Sequence, residues 1–308
     1  MGQERRRRVV RQPLLHRAAR NWALSGFRGA VLFWRLVERL TPWPSSGLVR
    51  VPPGLVIPVL PHDYVAAGFY RGTYERPEFR LITRLLAGRG EMLILDIGAN
   101  VGAYTSLFSH LAGSAGRVLA FEPAPDTYAV LDNLVMRAPL ENVTTLRAAV
   151  GRERGTARLF DVGGPTNSGL ASMRPTADLP GHDGLEVDVV SLGDLDALDR
   201  KEVDLIKIDV EGLEEEVLTG AADLFRNGSV RFAMIEVSPQ FGNARFISDF
   251  FVGLADRYAC LAISEVGRWR RRPVLVRVEA SQLSESREQF NLLAVRRDEL
   301  AGLPWTVR

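Results

Sequence analysis

Short apolar runs alternate with segments whose apolar residues recur every three or four positions, from Met92 to Val295. The runs predict strands over Met92–Asp96, Arg117–Phe121, Val143–Ala148, Val203–Asp209, Val230–Val237, Tyr258–Ile263 and Phe290–Val295. Helices are predicted between them. One reaches Leu111 through Tyr104, Leu107 and Phe108, and one covers Thr127–Met136. A third repeats Leu213, Val217, Ala221, Leu224 and Phe225, and a fourth lies near Ala244–Asp256. Strands and helices in alternation give a parallel sheet covered on both faces, so the expected fold is α/β and doubly wound, around a mostly parallel seven-stranded sheet. One insertion breaks the rhythm: Ala157–Asp161, then a Gly- and Asn-bearing stretch to Gly169, with Leu185–Val190 as partner strand. Arg268–Pro273 reads as a basic hairpin turn.

Upstream, Leu48–Val51 and Leu55–Leu60 alternate enough for two short strands, and a helix is expected near Glu78–Ala87. Tyr64, Phe69, Tyr70 and Tyr74 fall in a turn-rich stretch; they pack on the sheet edge or close over a ligand. The segment Trp22–Val37 reads as one basic amphipathic helix, with Leu24, Phe27, Val31, Trp34 and Leu36–Val37 on a shared face. It is too short and too often charged to span a bilayer, and Arg28 and Arg35 interrupt the apolar core a cleaved signal would need. The expectation is a helix packed on the domain, with lying in a membrane interface as the alternative. Prolines at 42 and 44 make Thr41–Gly47 a linker. The expected organisation is therefore a basic arm with its helix at 1–47, strands and a helix at 48–90, and the sheet domain at 91–300. The arm is expected to be dispensable for ligand binding.

Composition refines this picture. The chain has 308 residues, 46% hydrophobic and 25% charged, ordinary values for a globular protein. The single Cys260 excludes internal disulfides and cysteine-rich metal sites and fits a reducing, cytoplasmic setting. Charge is uneven. Residues 1–50 carry 11 arginines against Glu4 and Glu38, a net of +9, whereas the rest carries 28 basic and 35 acidic residues, a net of −7. A basic arm on an acidic body suits anionic surfaces: if the arm has a role, it is peripheral contact with an anionic membrane or binding to an acidic carrier partner, and a solvated tail without a role is the alternative.

The most informative stretch is Leu93-Ile94-Leu95-Asp96-Ile97-Gly98-Ala99-Asn100-Val101-Gly102-Ala103-Tyr104-Thr105, followed by Phe121-Glu122-Pro123. It reads as strand, tight turn and helix, with Gly98 and Gly102 letting a ligand approach the backbone. Glu122 then arrives at the end of the next strand, where an acid accepts hydrogen bonds from ribose hydroxyls. The turn lacks the central glycines of G-x-G-x-x-G, and Asp96 at the strand end would repel a pyrophosphate. An acid there suits a cationic cofactor with an amino group and a ribose, which describes S-adenosylmethionine. Lys201 and Lys207 are the only lysines, so no Tyr-x-x-x-Lys dehydrogenase pair follows, and there is no P-loop. The expected cofactor residues are Asp96, Gly98, Asn100, Gly102, Tyr104, Thr105, Glu122 and Pro123.

Val203-Asp204-Leu205-Ile206-Lys207-Ile208-Asp209-Val210-Glu211-Gly212 repeats the theme of a strand ending in acids. Ligands in open parallel sheets lie outside the carboxyl ends of the strands, which would bring Asp209 and Glu211 to the same crevice. Both also suit a helix cap, since carboxylates favour helix N-termini.

Taken together these residues resemble the FkbM family of S-adenosylmethionine-dependent methyltransferases. The Asp96–Gly102 turn, Phe121-Glu122-Pro123, Asn142-Val143, Ala149-Val150, Asn167-Ser168-Gly169-Leu170, Ile206–Gly212 and Asn291-Leu292-Leu293-Ala294 carry the resemblance in order, from about Pro61 to Arg296. The resemblance implies a class I (Rossmann-like) methyltransferase fold with an N-terminal extension, and O-methylation of a hydroxyl on a sugar, polyketide or other secondary metabolite. An alcohol needs a base at the moment of attack. Asp209 is the first candidate, followed by Glu211, Glu236 and His182; Lys207 would hold Asp209 ionised, and His62 would line the pocket. Asp209, Glu211 and Glu236 are also the residues that would hold Mg²⁺ were one used, although the pattern does not demand it. Two rival readings differ in class. Nucleic-acid methylation is favoured only by the arginine tail and lacks the Asn/Asp-Pro-Pro-aromatic element, so no nucleic-acid partner is expected. A cofactor-binding scaffold without catalysis is the other.

Overall fold

The computed structural model describes residues 9–26, 29–44, 47–52, 54–60, 63–161, 171–172, 184–195, 198, 202–266, 272–304 and 307. The arm and the segment after it comprise β1 (Val10–Arg11), α1 (Leu14–Ser25), α2 (Ala30–Leu40), β2 (Gly47–Val51), β3 (Leu55–Val59), α3 (Tyr64–Arg71) and α4 (Arg76–Leu85). The alternating region follows as β4 (Leu93–Ile97), α5 (Ala103–Ala112), β5 (Arg117–Phe121), α6 (Pro125–Arg137) and β6 (Val143–Leu146). Next come β7 (Ala149–Gly151), β8 (Gly155–Asp161), β9 (Ala171–Ser172) and β10 (Leu185–Ser191). The chain then runs through β11 (Val203–Ile208), α7 (Glu214–Gly220), α8 (Ala222–Arg226), β12 (Val230–Val237), α9 (Asn243–Val252), β13 (Tyr258–Val266), β14 (Arg272–Val278) and β15 (Phe290–Arg296).

The main sheet has the order β14-β13-β15-β12-β11-β4-β5-β6. From β6 to β12 all neighbours are parallel, and β15 lies antiparallel between β12 and β13. This is the expected doubly wound α/β arrangement, but with eight strands and a mixed edge instead of seven. The added strand is β14, antiparallel to β13 from Val266↔Arg272 to Cys260↔Val278. The sequence reading stopped at the turn before it. β4 and β11 bury every residue, as central parallel strands covered on both faces do. Alternation sends Ile94 and Leu205 into one core with Leu107, Phe108, Leu81 and Tyr70. Leu95, Ile97, Ile206 and Ile208 enter the other, with Val217, Phe225 and Phe251. The expected partner strand of the insertion is present: β10 pairs antiparallel with β8 (Val187↔Ala157) and parallel with β7.

The first 90 residues depart most from the sequence reading. The single amphipathic helix is two, because Gly26 and Gly29 both take left-handed backbone (φ 84° and 87°) and turn the chain. Its inward face is Ala19, Ala23, Ala30, Trp34 and Val37, while Val31 and Leu36 point outward, contrary to the expected shared face. The stretch containing Tyr64, Phe69 and Tyr70 is a helix, α3, and not a set of turns. Asp63 caps it by accepting a hydrogen bond from Ala66 N at 2.7 Å, and Gly72 (φ 71°) ends it. Of the two expected histidines, His62 and His182, neither lies within the described residues, nor do Asn167–Leu170.

The arm packs on the domain through α3. The last carbonyls of a helix lack intrahelical partners. Here Arg20 donates to the Phe69 and Tyr70 carbonyls, Gln12 Nε2 to Tyr70 O at 3.2 Å, and Trp34 Nε1 to Arg71 O at 2.9 Å. His16 Nδ1 pairs with the Tyr70 hydroxyl at 2.6 Å. Burial lowers the Arg20 guanidinium to about 10, so its charge is tolerated only with those carbonyls in place. No helix among the described residues is long and apolar enough to cross a membrane. Trp34→Ala is expected to cost about 3–5 kcal/mol, the usual range for removing a buried tryptophan. A thermal melt within a degree or two of wild type would show that α2 is not part of the folded unit. Deleting residues 1–45 should lower the melting temperature at least as far, because it strips α3 of its terminal partners.

Candidate active site

The turn after β4 sits directly on its neighbours. Gly98 N and Ala99 N donate to Phe121 O at 3.0 and 2.9 Å, which ties the end of β4 to the end of β5. Gly98 (φ 80°) has no room for a side chain: a Cβ there would lie 1.9 Å from the Asp209 carbonyl oxygen. At Gly102 (φ 85°) a Cβ would meet Leu134 and Leu131 of α6 at 2.7 and 2.8 Å. Both glycines are therefore required by protein neighbours, the β11 end and α6, and Gly98 also lines the cleft described next. Between them Asn100 adopts left-handed backbone (φ 51°), with its Oδ1 accepting from Val101 N at 2.6 Å. Glu122 lies buried just past β5. Its two oxygens accept from Asn100 N and Ala124 N, both at 2.9 Å. Burial pushes its carboxyl up to about 7 against the pull of those amides.

A cleft opens above these strand ends. Its apolar lining includes Phe121, Ala148, Ala149, Val150 and Leu159, together with Val65, Phe69 and Tyr74. Polar groups at its surface include Asn100, Glu122, Lys207, Asp209 and Glu211, and Tyr104 and Pro123 also border it. Asp96, Thr105 and Gly102 do not reach the surface. Asp96 is fully buried on the α5 side of β4, where strand alternation puts it beside Lys207 of β11 in register. Its Oδ2 accepts from Thr105 Oγ1 at 2.6 Å, and its Oδ1 has no partner. The sequence placed these three residues against the cofactor; the structure puts them one layer below.

Lys207 is the cation of this layer, with 4% of its side chain exposed. Its Nζ lies 2.7 Å from Asp209 Oδ2 and 5.0 Å from the Tyr104 ring centre. Burial would lower the ammonium, but Asp209, Asp96 and Glu75 outweigh it and hold it above its ordinary value. The Tyr104 hydroxyl donates to Glu75 Oε2 at 2.8 Å, and burial with the nearby Asp209 raises Glu75 to about 8. Asp96 is also raised by burial, with Lys207 opposing.

Asp209 and Glu211 of the cleft meet a third acid, Glu236, which does not line it. Carboxylate oxygens of Asp209, Glu211 and Glu236 lie within 4.8 Å of one another. Glu236 accepts from Ser238 Oγ at 3.0 Å and from Gln289 Nε2, and burial with Asp209 raises it to about 7. Burial raises Glu211 to about 8, with Glu236 and Asp209 adding to the effect. Such a triad can share protons near neutral pH or ligate one oxygen-seeking divalent cation. Neither Asp209 nor Glu211 provides the side-chain cap of α7. That loop is held by Glu214, whose Oε1 accepts from Val210 N and Gly212 N at 3.4 and 3.3 Å. Glu214 Oε2 accepts from Asn243 Nδ2 at 2.7 Å. Sequence reasoning missed Glu75, Glu214 and Asn243. Only Glu214, in the acidic run after Gly212, carried a visible signal.

Two outcomes follow from this geometry. Gly98→Ala should destabilise the fold by well over the roughly 1 kcal/mol of an average substitution, because backbone must move and φ is unfavourable; an unchanged melt would refute the close approach. Four carboxyls, Glu75, Glu122, Glu211 and Glu236, bind protons more tightly folded (about 7 to about 8) than at their ordinary 4.5. Folded chains then hold more protons than unfolded ones, so stability falls as pH rises from about 4.5 to about 8 and levels off above. Melting curves of the ligand-free protein across that range should decline, and Glu211→Gln should flatten the slope.

Residues 96–297 match the family model described as "Methyltransferase FkbM domain". "Methyltransferase 1" of Beauveria bassiana is 30% identical over 149 residues, which cover 43% of this chain and 59% of that protein. "Hexuronic acid methyltransferase AglP" of Haloferax volcanii is 28% identical over 166 residues, 51% of this chain and 61% of that protein. The crystal structure of methyltransferase FkbM from Methylobacillus flagellatus KT aligns with 16% identity and a TM-score of 0.45, over 90% of this chain and 58% of that chain. The chain spans about three-fifths of the length of these curated relatives. The family match runs from the end of β4 to the end of β15 and takes in every strand end described above; the chain belongs to the FkbM methyltransferase family.

Proposed function

We propose that the cleft binds S-adenosylmethionine and that the chain transfers its methyl group to a hydroxyl oxygen of a sugar, polyketide or other secondary metabolite. The observation that carries this reading is Glu122, a buried carboxyl at a strand end, fixed by two backbone amides and facing the cleft. Each of its oxygens keeps a lone pair for ribose hydroxyls. Phe121, Ala148, Ala149, Val150 and Leu159 form an apolar slot of the kind an adenine ring fills. The acids at the ends of β11 and β12 suit a cationic ligand and oppose a pyrophosphate. When bound, the cofactor supplies an electrophilic methyl carbon on a sulfonium.

The remaining chemistry belongs to the protein. Asp209 would accept the proton of the acceptor hydroxyl and hold that oxygen in line with the methyl group the cofactor would supply. Lys207 fixes the orientation of Asp209 through their 2.7 Å ion pair. Glu211 and Glu236, raised to about 8 and about 7 and within 4.8 Å of Asp209, are the second-choice bases. The hexuronic acid methyltransferase among the relatives supports a sugar as one acceptor class. A second reading, assistance by a divalent cation, rests on the 4.8 Å spacing of Asp209, Glu211 and Glu236.

Calorimetry on the purified chain should show S-adenosylmethionine binding and no NAD binding; the reverse would sink the proposal. Glu122→Ala should weaken cofactor binding by roughly 1–3 kcal/mol. Asp209→Asn should keep cofactor affinity and lower single-turnover methyl transfer about 10²–10⁴-fold. Near-normal turnover in that variant would pass the proton to Glu211 or Glu236. Activity lost to EDTA and restored by Mg²⁺ would favour the cation reading.

A further inference from the structure

The inner face of the arm is committed to α3 and the core, whereas much of its outer face is exposed among the described residues. Eight of the fourteen large hydrophobic residues exposed among the described residues lie between Val10 and Leu40, so the exposure is concentrated and not scattered. On α2, Leu32, Leu36 and Leu40 follow one another at four-residue spacing and are 69%, 51% and 66% exposed. On α1, Leu14 and Trp22 are 79% and 45% exposed. Exposed arginines run through the same surface: Arg35 and Arg39 on α2, with Arg17 on α1 and Arg11 just before it. The arm's one acid among the described residues, Glu38, is turned inward and paired with Arg71 at 2.8 Å.

We propose that the outer face of α1 and α2 is a docking surface for an anionic lipid membrane. The leucines enter the boundary between headgroups and acyl chains, and the arginines reach outward to lipid phosphates. A partner protein would seat its apolar core on a patch depleted of charge, whereas arginines interleaved with leucines match an apolar layer under an anionic one. The surface differs from the face inferred from sequence, since Trp34 and Val37 point inward. It is independent of what the cleft binds.

The test is flotation of the full chain with vesicles of phosphatidylcholine alone and with phosphatidylglycerol added. We expect association only with the anionic vesicles, weakening as salt is raised. Leu32→Glu/Leu36→Glu and Arg35→Glu/Arg39→Glu should each reduce partitioning by roughly tenfold or more, with melting temperature unchanged because all four side chains are exposed. Wild-type chain that stays in solution with anionic vesicles overturns the proposal. So does a stable dimer in sedimentation that Leu36→Glu dissociates, which would make this face a contact between two copies.

Discussion

The Lys207 ammonium is almost completely withdrawn from water and lies between Asp96 on β4 and Asp209 at the end of its own strand, with Glu75 reached through the Tyr104 ring and hydroxyl. A buried cation without partners would be far too costly, and so would the carboxylates around it without the cation. The position of each is therefore conditional on the others. Asp96 holds Thr105 on α5, Tyr104 from the same helix lies by Lys207, and Glu75 begins α4. One charge thus ties the two central strands to two helices on the same face of the sheet. Methyl-group chemistry needs an acceptor oxygen aligned to within fractions of an ångström, and a layer of this kind is what can hold Asp209 still at the cleft surface.

The backbone around the cleft carries a second cost. Asn100, Glu211 and Glu75 all have positive φ (51°, 50° and 38°), a conformation side chains adopt reluctantly. Each is worth on the order of 1–3 kcal/mol when unsupported. The supports are visible. Glu122 and the Asn100 side chain fix the turn at Asn100; Glu214, braced by Asn243, grips the loop bearing Glu211; and Tyr104 holds the Glu75 carboxyl. Strain gathered at one rim and supported from a second layer is the pattern of a site whose geometry matters more than its stability.

The sequence disclosed what is written in consecutive residues. Leu93–Ile97 and Val203–Ile208 are unbroken apolar strands because both of their faces are buried, and the acids that end them stand out for that reason. Glu122 was legible by its distance from the glycine turn. β14 was not, since it follows a basic turn and its alternation is that of an edge strand. α3 was obscured by Gly68 and Gly72, although Asp63 was available as a cap. Contacts such as Tyr104–Glu75 and Glu214–Asn243 join residues 29 apart, and no spacing rule encodes them. The glycines show the limit most clearly. Their identity was readable, but the Asp209 carbonyl that excludes a side chain at Gly98 comes from a strand more than a hundred residues away.

The same distinction bears on the arm, which the sequence treated as separable. Arg20 is buried with its charge met by the carbonyls of Phe69 and Tyr70 and by the Phe79 ring at 5.8 Å, while its Nε has no partner. Such a group is stable only while α3 is in place, and α3 loses the partners of its last turn if the arm leaves. The two are formed or lost together. Because α3 also presents Val65 and Phe69 to the cleft, the arm's inner face is connected to the site by one shared helix. Its outer leucines and arginines take no part in that contact, so the surface of α1 and α2 can meet a partner of its own without disturbing the carbonyls that Arg20 and Trp34 hold.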